Sequence, residues 1–329
     1  MRKFLLVPAL AAILAHSAAA APRPYEPQPV AFPAGAAYLS PTGEISIVGY
    51  NDMQGLFEAW DRLFAQAHPQ FRFNLVLKGT RTAAPALAAG RSALAPMGAE
   101  MTEADLAACL RGLKAYPVPF RVAHAAVDPR ALSSPIAVYV NSANPLAQLS
   151  TDQVARIFTA GSKTGDLILW GQLGLTGDWA GRLIHPVGLG ADTALGVYML
   201  RHHFGGRPFA ARFQALRQSR AVVQQVSADP QAIGFADLNL ARSGVAVVAV
   251  DPGDGRTPSR GSAEDVASGR YPYDRHLLVY APRPLDPWVR EYLRMVYSKE
   301  GQAAVAATPP GYIPLNPGEV DEELAKLER

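Results

Sequence analysis

The stretch ISIVGYNDMQGLFEAWDRLFAQAHPQFRFNLVLKG (residues 45–79) has the pattern of a strand, a helix and a second strand. Residues 45–49 form a β-branched run closed by a glycine, which is typical of a buried strand. Residues 54–67 place their large apolar side chains on one helical stripe: Leu56, Phe57, Trp60, Leu63 and Phe64. Residues 71–77 return to a strand pattern. This alternation predicts a mostly parallel sheet covered by helices.

The same alternation continues to the C-terminus. We predict further strands near 92–97, 122–127, 136–140, 183–187, 232–235, 245–250 and 276–280, and further helices near 85–89, 103–113, 151–158, 193–203, 209–217, 221–227, 263–268, 287–297 and 299–307. A Pro-rich end follows the last helix. No Pro/Gly linker divides the chain at its middle, so we expect two α/β lobes joined by more than one chain crossing.

Composition and charge exclude several classes of protein. The chain has 329 residues, of which 49% are hydrophobic and 18% charged, as in ordinary globular proteins. Lys plus Arg number 31 against 28 Asp plus Glu, which argues against a strongly basic nucleic-acid binder. The single cysteine, Cys109, can form neither an internal disulfide nor a cysteine-rich zinc cluster.

The N-terminal sequence MRKFLLVPALAAILAHSAAA (residues 1–20) predicts export. Arg2 and Lys3 precede an apolar run over residues 4–15, and small alanines end the segment. We expect a signal peptide that is cleaved after Ala20 and a mature protein in the periplasm. The run is short for the alternative, a retained membrane anchor. Residues 21–43 are rich in Pro and Ala without any period, and we interpret them as a loose leader.

No motif in the sequence indicates catalysis. The chain lacks G-x-S-x-G, H-E-x-x-H and the phosphate-binding G-x-x-x-x-G-K-[ST] motif. His202 and His203 are adjacent, so their side chains diverge on a helix and are not expected to share a metal. The glycine loop 188–193 has Thr193 where a dinucleotide fingerprint needs its third glycine. We therefore predict no catalytic residue, no cofactor and no metal.

Small polar residues recur where predicted strands meet helices. The candidate binding residues in these loops are Asn51 and Asp52; Gly79, Thr80, Arg81 and Thr82; and Gly190, Asp192 and Thr193, with a further loop at 98–100. Loops at the carboxyl ends of parallel strands are where α/β proteins bind ligands, and N–H groups at helix starts favour anions. Ordinary turn chemistry is the alternative for any one loop. Arg81 is the only cation we place in the site.

Several motifs in order resemble phosphate-type periplasmic binding proteins, the PstS type of ABC importer. Residues 271–315 are similar to that family's ending of a YP-x-x-R strand, an S-x-x-G-Q helix and a GY-x-PL close. The matching positions are Tyr271, Pro272, Arg275, Ser298, Gly301, Gln302, Gly311, Tyr312, Pro314 and Leu315. VNSANPLAQLSTDQVARIFTAG (140–161), DPQAIGFADL (229–238) and SALAPMGAEMT (92–102) resemble further family segments. The resemblance covers residues 44–316.

The resemblance implies a two-lobed type II clamp. It implies that residues 44–130 and 275–329 form one lobe and residues 131–274 the other, with hinge crossings near 127–134 and 269–275. It also implies a non-enzymatic monomer that captures phosphate or another oxyanion. Its partner would be an ABC permease or a membrane sensor.

The family's ligand residues are only partly present here. Members use hydroxyls in the first two loops, an acid in the third region and an arginine with S-G-T in the fourth. In this chain Ala93 stands at the acid's position, and Ala191-Asp192-Thr193 replaces S-G-T with no arginine between 184 and 200. Asp52 and Asp192 would oppose an anion unless each caps its own helix.

Three alternatives therefore stay open. The cleft could take an uncharged or cationic solute, with Asp52 and Asp192 as its carboxylates. The protein could be a scaffold or sensor-type clamp that has lost its solute. It could also be an exported hydrolase that uses His185 with Asp52 or Asp192, although no activated nucleophile is apparent.

Overall fold

The computed structural model describes residues 21–328, so the predicted signal peptide lies outside the described residues. The first lobe contains β1 (Ile45–Gly49), α1 (Gln54–Ala67), β2 (Phe73–Leu77), α2 (Thr80–Ala88), β3 (Ala95–Met97), α3 (Glu103–Leu113), β4 (Val118–His124), β12 (His276–Ala281), α8 (Pro287–Val296), α9 (Lys299–Ala307) and α10 (Pro317–Leu327). The second contains β5 (Ile136–Asn141), β6 (Gln148–Ser150), α4 (Thr151–Phe158), β7 (His185–Leu189), α5 (Ala194–His202), β8 (Gln214–Leu216), α6 (Ser219–Ala228), β9 (Ala232–Asp237), β10 (Val245–Val247), β11 (Ala249–Asp251) and α7 (Ala263–Ala267). Within residues 21–328, no helix is long and apolar enough to cross a bilayer.

Both lobes contain parallel and antiparallel strand pairings, four of each among residues 21–328, so the sheets are mixed and not mostly parallel as expected. In the first lobe β1 pairs with β2 in parallel, and β12 lies between β3 and β4, antiparallel to both. The second lobe has a five-stranded sheet in the order β10-β5-β9-β7-β8, in which β7 is parallel to β8 and β9. In the same sheet β5 is antiparallel to its neighbours, and β6 pairs with β11 apart from it. The predicted two-lobed α/β architecture is confirmed.

The C-terminal helices pack on the first lobe, where α8 buries its apolar side chains. The ring of Tyr292 lies with its centroid 6.4 Å from that of Phe57 and 5.2 Å from that of Phe64. The indole of Trp60 donates to the carbonyl of Gly301 at 3.0 Å. This aromatic core ties both ends of the chain into one lobe.

Two chain crossings run side by side at the hinge. The first leaves β4 and enters β5, and the second returns into β12. The amide of Ala125 donates to the carbonyl of Arg275 at 2.7 Å, and that of Ile136 donates to Tyr273 at 2.9 Å. We keep 44–130 with 275–329, and 131–274, as our proposed division between the lobes.

Residues 209–217 do not form the predicted helix. Residues Gln214–Leu216 instead form the edge strand β8 on β7, and Phe213 stacks on Phe209 with centroids 4.0 Å apart. Pairing with the sheet outweighs the weak local preference for a helix. The predicted strand 245–250 is likewise divided into β10 and β11, which pair with different sheets.

The Pro-rich end contains a helix that the sequence analysis missed. Helix α10 has Asn316 as its N-cap and a proline at its first position. The Asn316 side chain accepts from the Glu319 amide at 3.0 Å, while Glu319 accepts from the Asn316 amide at 2.9 Å. Asn-Pro-Gly-Glu is thus a capping box whose signal was visible in the sequence.

The leader is irregular but not loose. Its Tyr25 hydroxyl and Gln28 amide both donate to the buried carboxylate of Glu291, at 2.9 and 2.8 Å. Phe32 packs on Phe71 with ring centroids 5.4 Å apart. A segment without periodicity can still bury isolated aromatic side chains, and here these fasten it to the first lobe.

Candidate functional site: the cleft between the lobes

A cleft of about 780 Å³ lies between the lobes beside the hinge. The first lobe contributes Tyr50, the start of α2, and residues 97–103 and 105, which run from β3 into α3. The second lobe contributes residues 191–198 and Arg201 from the start and body of α5, with Asp237 at the end of β9. The crossings contribute Leu132, Ser133 and Arg275. Both lobes and the hinge therefore line one site, which is where a solute can be held by closure.

The N-termini of three helices face the cleft. Gly79 precedes α2 with a φ of +121°, a backbone conformation that favours glycine. Thr102 caps α3 and Thr193 caps α5 through their hydroxyl oxygens. Helix N-termini carry partial positive charge and free N–H groups, so this arrangement favours an anionic ligand.

Arg275 lies buried at the floor of the cleft. Its guanidinium donates to the carbonyls of Gly98 at 2.7 Å and Ser134 at 3.1 Å, and it lies 3.5 Å from Asp237 Oδ1. Burial raises the pKa of Asp237, and Arg275 only partly opposes this rise. Arg275 thus joins the lobes and compensates Asp237, which leaves little of its charge for a solute.

Arg201 also faces a carboxylate. Its Nη1 lies 3.2 Å from Glu100, and His202 Nε2 lies 2.9 Å from the other oxygen of the same carboxylate. This cluster bridges α5 and the loop after β3. The expectation that Arg81 is the only cation in the site was therefore wrong, because Arg201 and Arg275 also line it.

Arg81 differs from these two arginines. It lies in the first turn of α2, which begins five residues before the helix start predicted from the sequence. Its side chain is exposed in the cleft, and within residues 21–328 no carboxylate pairs with it. Of the cleft guanidinium groups in this part of the chain, it is the one available to an anion.

The predicted site residues fall into two groups. Thr80, Arg81, Asp192 and Thr193 line the cleft; Asn51, Asp52, Gly79, Thr82 and Gly190 do not. Gly79 and Gly190 directly precede Thr80 and Ala191, which do line it. The further loop at 98–100 also lines the cleft, with Glu100. The remaining polar lining residues were not among the predicted site residues: Tyr50, Thr102, Glu103, Asp105, Ser133, Tyr198, Arg201, Asp237 and Arg275.

The threonine hydroxyls are not equally free. Thr193 donates to the Gly190 carbonyl at 2.8 Å and accepts from the Gly196 amide at 3.1 Å, so its proton is used within its own loop. Thr82 similarly donates to the Gly79 carbonyl at 2.8 Å. Thr80 only accepts, from an amide at 3.4 Å, and its hydroxyl proton is free to donate.

Asp52 has a structural role at the hinge. It accepts hydrogen bonds from the Leu132 amide at 2.9 Å and from the Tyr312 hydroxyl. Nearby, the Tyr50 hydroxyl contacts the Ser133 hydroxyl at 3.0 Å, and burial raises the pKa of Tyr50 to about 12. The first loop therefore connects the first lobe to the crossing and the tail, and Asp52 caps no helix.

The structure matches neither interpretation of Asp192, as the cap of α5 or as an uncompensated carboxylate in the cleft. Thr193, and not Asp192, caps α5, and the Asp192 carboxylate pairs with Arg217 at 2.6 Å in an exposed position. His185, the histidine of the hydrolase alternative, lies 2.7 Å from Asp229. The structure thus pairs His185 with neither Asp52 nor Asp192.

Two α/β lobes that enclose a polar cleft at a double crossing define the class of two-lobed solute-binding proteins. Residues 35–300 match the PBP superfamily domain, and the chain belongs to this family. The phosphate-binding protein PstS of Pseudomonas aeruginosa is 32% identical over 295 residues, which cover 87% of each chain.

Solved structures share the fold. An ABC-type phosphate transport receptor from Vibrio cholerae matches with a TM-score of 0.53 at 18% identity, over 82% of this chain and 99% of that one. PstS from Borrelia burgdorferi matches with a TM-score of 0.53 at 14% identity, over 82% of this chain and 98% of that one. The protein is therefore a solute-binding protein with the family's two-lobed fold.

Proposed function

We propose that this protein captures a small oxyanion, with inorganic phosphate as the first candidate, and presents it to the permease of an ABC importer. One observation carries the proposal: Arg81, in the first turn of α2, faces the cleft with no carboxylate partner among residues 21–328. The name of the Pseudomonas relative, a phosphate-binding protein, supports the choice of phosphate.

Charge pairing within and around the cleft supports an anionic solute. Five carboxylates line the cleft: Glu100, Glu103, Asp105, Asp192 and Asp237. Arg201 pairs with Glu100, Arg275 with Asp237 and Arg217 with Asp192. Asp105 accepts from the Thr102 amide at 3.0 Å within the α3 capping box. Most of the negative charge is thus compensated locally, and Arg81 is not required for that compensation.

The solute in this proposal contacts Thr80 and Arg81 from the first lobe and the start of α5 from the second. Thr80 supplies a hydroxyl proton, Arg81 a charged donor, and α5 the first-turn N–H groups other than that of Gly196, which donates to Thr193. Closure brings these donors together and removes water, which strengthens each of them. Binding of this kind involves no catalytic step.

A second candidate is a clamp without a solute. The engaged hydroxyl of Thr193 and the carboxylate of Glu103 at the start of α3 favour it, because the first withdraws a donor and the second opposes an anion by its charge. In that case the protein acts as a scaffold or sensor through its lobes.

Export belongs to the same proposal. Residues 1–20 act as a signal peptide cleaved near Ala20, and the mature protein acts as a monomer in the periplasm. The permease, or a membrane sensor, recognises the closed form. N-terminal sequencing of periplasmic protein should begin at Ala21, whereas an intact Met1 on membrane-bound protein would contradict export by cleavage.

Isothermal titration calorimetry distinguishes the two candidates. Mature protein is unfolded and refolded to remove bound solute, then titrated with phosphate, sulfate and an organic phosphate. Saturable binding at one site is expected for at least one of them. If none binds to folded protein, the oxyanion proposal fails and the clamp without a solute is favoured.

A further inference from the structure

Two histidines and two carboxylates meet at the hinge, beside a pocket that shares Tyr198, Arg201 and Arg275 with the cleft but includes neither Thr80 nor Arg81. His124 ends β4, His276 begins β12, Asp274 precedes it in the second crossing, and Glu319 lies in the first turn of α10. His124 is completely buried, and the other three are largely buried. The four side chains come from three separate segments of the chain.

The distances within this cluster suit a metal ion. One donor atom each from His124, Asp274 and His276 lie within 4.8 Å of one another. Nδ1 of His124 is 2.5 Å from Asp274 Oδ2, and Nε2 of His276 is 3.8 Å from the same oxygen. Ligands of a tetrahedral zinc ion with bonds of about 2.0–2.1 Å lie roughly 3.3 Å apart. Small side-chain rotations would bring these atoms to that spacing.

An unpaired atom points to the same conclusion. Asp274 Oδ1 is buried and has no hydrogen-bond partner within residues 21–328. A buried carboxylate oxygen without a partner is costly, and a bound cation is one way to satisfy it. A divalent cation would also neutralise the two carboxylates, Asp274 and Glu319, that the hinge buries together.

Glu319 contacts both histidines, and its Oε1 lies 3.1 Å from Nε2 of His276, a contact that a metal ion on that nitrogen would replace. Its Oε2 lies 2.9 Å from Nε2 of His124, on the opposite side of the ring from Asp274. This contact has ion-pair distance without hydrogen-bond geometry, so Nε2 of His124 is a second buried atom without a hydrogen-bond partner within residues 21–328. A small rotation that completes the bond to Glu319 would fix the ring and its tautomer and leave Nδ1 for the metal. Arg121, 3.8 Å from Glu319, is itself held by Glu322 and Glu323 at 2.6 and 2.5 Å.

We propose that His124, His276 and Asp274 bind a divalent transition-metal ion of the zinc type, with Glu319 orienting His124. Two imidazole nitrogens and a carboxylate oxygen form a mixed donor set that zinc accepts, with a fourth position left for water. His276 lines an open surface pocket of about 610 Å³, which offers the ion a route to the site.

A metal at this position would fasten both hinge crossings. It would join the end of β4, which leads into the first crossing, to Asp274 in the second. Asp274 and His276 flank Arg275, whose guanidinium lies in the cleft, and the Tyr198 hydroxyl of α5 donates to the Asp274 carbonyl at 2.6 Å. The proposal therefore concerns the mechanical link between the lobes and is independent of the solute.

The test uses Zn²⁺ as the probe on chelator-treated mature protein. We expect one equivalent of Zn²⁺ to bind by calorimetry and to raise the melting temperature, and Co²⁺ in its place to give the visible bands of a tetrahedral site. His276→Gln and Asp274→Asn should each weaken Zn²⁺ binding by at least roughly 100-fold, since removing a ligand exceeds the effect of an outer partner.

Matched controls separate this site from surface histidines. His202→Gln removes an exposed histidine that pairs with Glu100, and it should leave the Zn²⁺ affinity unchanged. Each variant is first compared with the parent by circular dichroism and melting temperature without metal. The proposal is overturned if the parent protein binds no Zn²⁺, or if folded His276→Gln and Asp274→Asn bind it as tightly as the parent.

Discussion

Replacement of Arg81 by alanine tests the proposed oxyanion site. Among the cleft residues that the structure describes, Arg81 has the only guanidinium group without a carboxylate partner. A hydrogen bond to a charged group contributes about 1.5–3 kcal/mol. Because the Arg81 side chain is exposed in the cleft, we expect a loss at the lower end, about 1.5–2 kcal/mol, which corresponds to a roughly 10- to 30-fold weaker affinity.

The assay is calorimetric titration of refolded protein with the oxyanion that binds the parent. Arg91→Ala is the matched control: it removes the same charge from an exposed position just beyond the other end of α2, outside the cleft. Salt screens charges over about 8 Å at physiological ionic strength, so this control should change the affinity little. Equal affinities for the two variants would refute the reasoning, because the effect would then be one of net charge alone.

Three further predictions concern charge and stability. Asp192→Asn should tighten oxyanion binding several-fold in the same titration, since it removes a like charge at the start of α5 and frees Arg217; unchanged or weaker binding would count against an anion there. Burial raises the pKa of Asp61 to about 7, and the hydrogen bond from the Tyr292 hydroxyl offsets only part of this rise. Between about pH 4 and pH 7 the Asp61 carboxyl therefore keeps its proton in the folded state and loses it in the unfolded state. Stability should therefore fall as the pH rises from about 4 to about 7, by up to about 4 kcal/mol, and Asp61→Asn should flatten this dependence in urea unfolding; a parallel slope would contradict it. Asn316→Ala should lower the free energy of unfolding by about 1 kcal/mol through loss of the α10 cap, with Asn316→Asp as the control that retains it.

Local sequence patterns correctly predicted those strands and helices in which the apolar period and the boundary residues indicate the same element. Strand β1 and helix α1 have the predicted limits, because a β-branched run, a glycine and a regular apolar stripe all indicate the same structure. Helix α10 was missed because the segment was described only as a Pro-rich end, although proline suits the first turn of a helix. The edge strand β8 depends on β7, about 25 residues earlier in the chain, and no local signal indicates it.

The sequence predicted some of the residues that line the cleft, but not the side chains with which they pair. Loops at strand ends identified Thr80, Arg81, Asp192 and Thr193 because α/β topology brings such loops together. The pairing of Asp192 with Arg217 and the burial of Arg275 depend on how distant segments meet. The sequence contained Arg275 within a family motif, but nothing in it indicated that this side chain would lie at the floor of the cleft.

The most direct test of solute capture is analysis of what the native protein carries. Mature protein is purified from the periplasm without added phosphate, denatured, and the released small molecules are identified and counted by ion chromatography and mass spectrometry. Parent protein should release close to one equivalent of a single oxyanion, and Arg81→Ala should release much less. Release of no anion from folded parent protein, or of an uncharged or cationic solute in its place, would contradict the account.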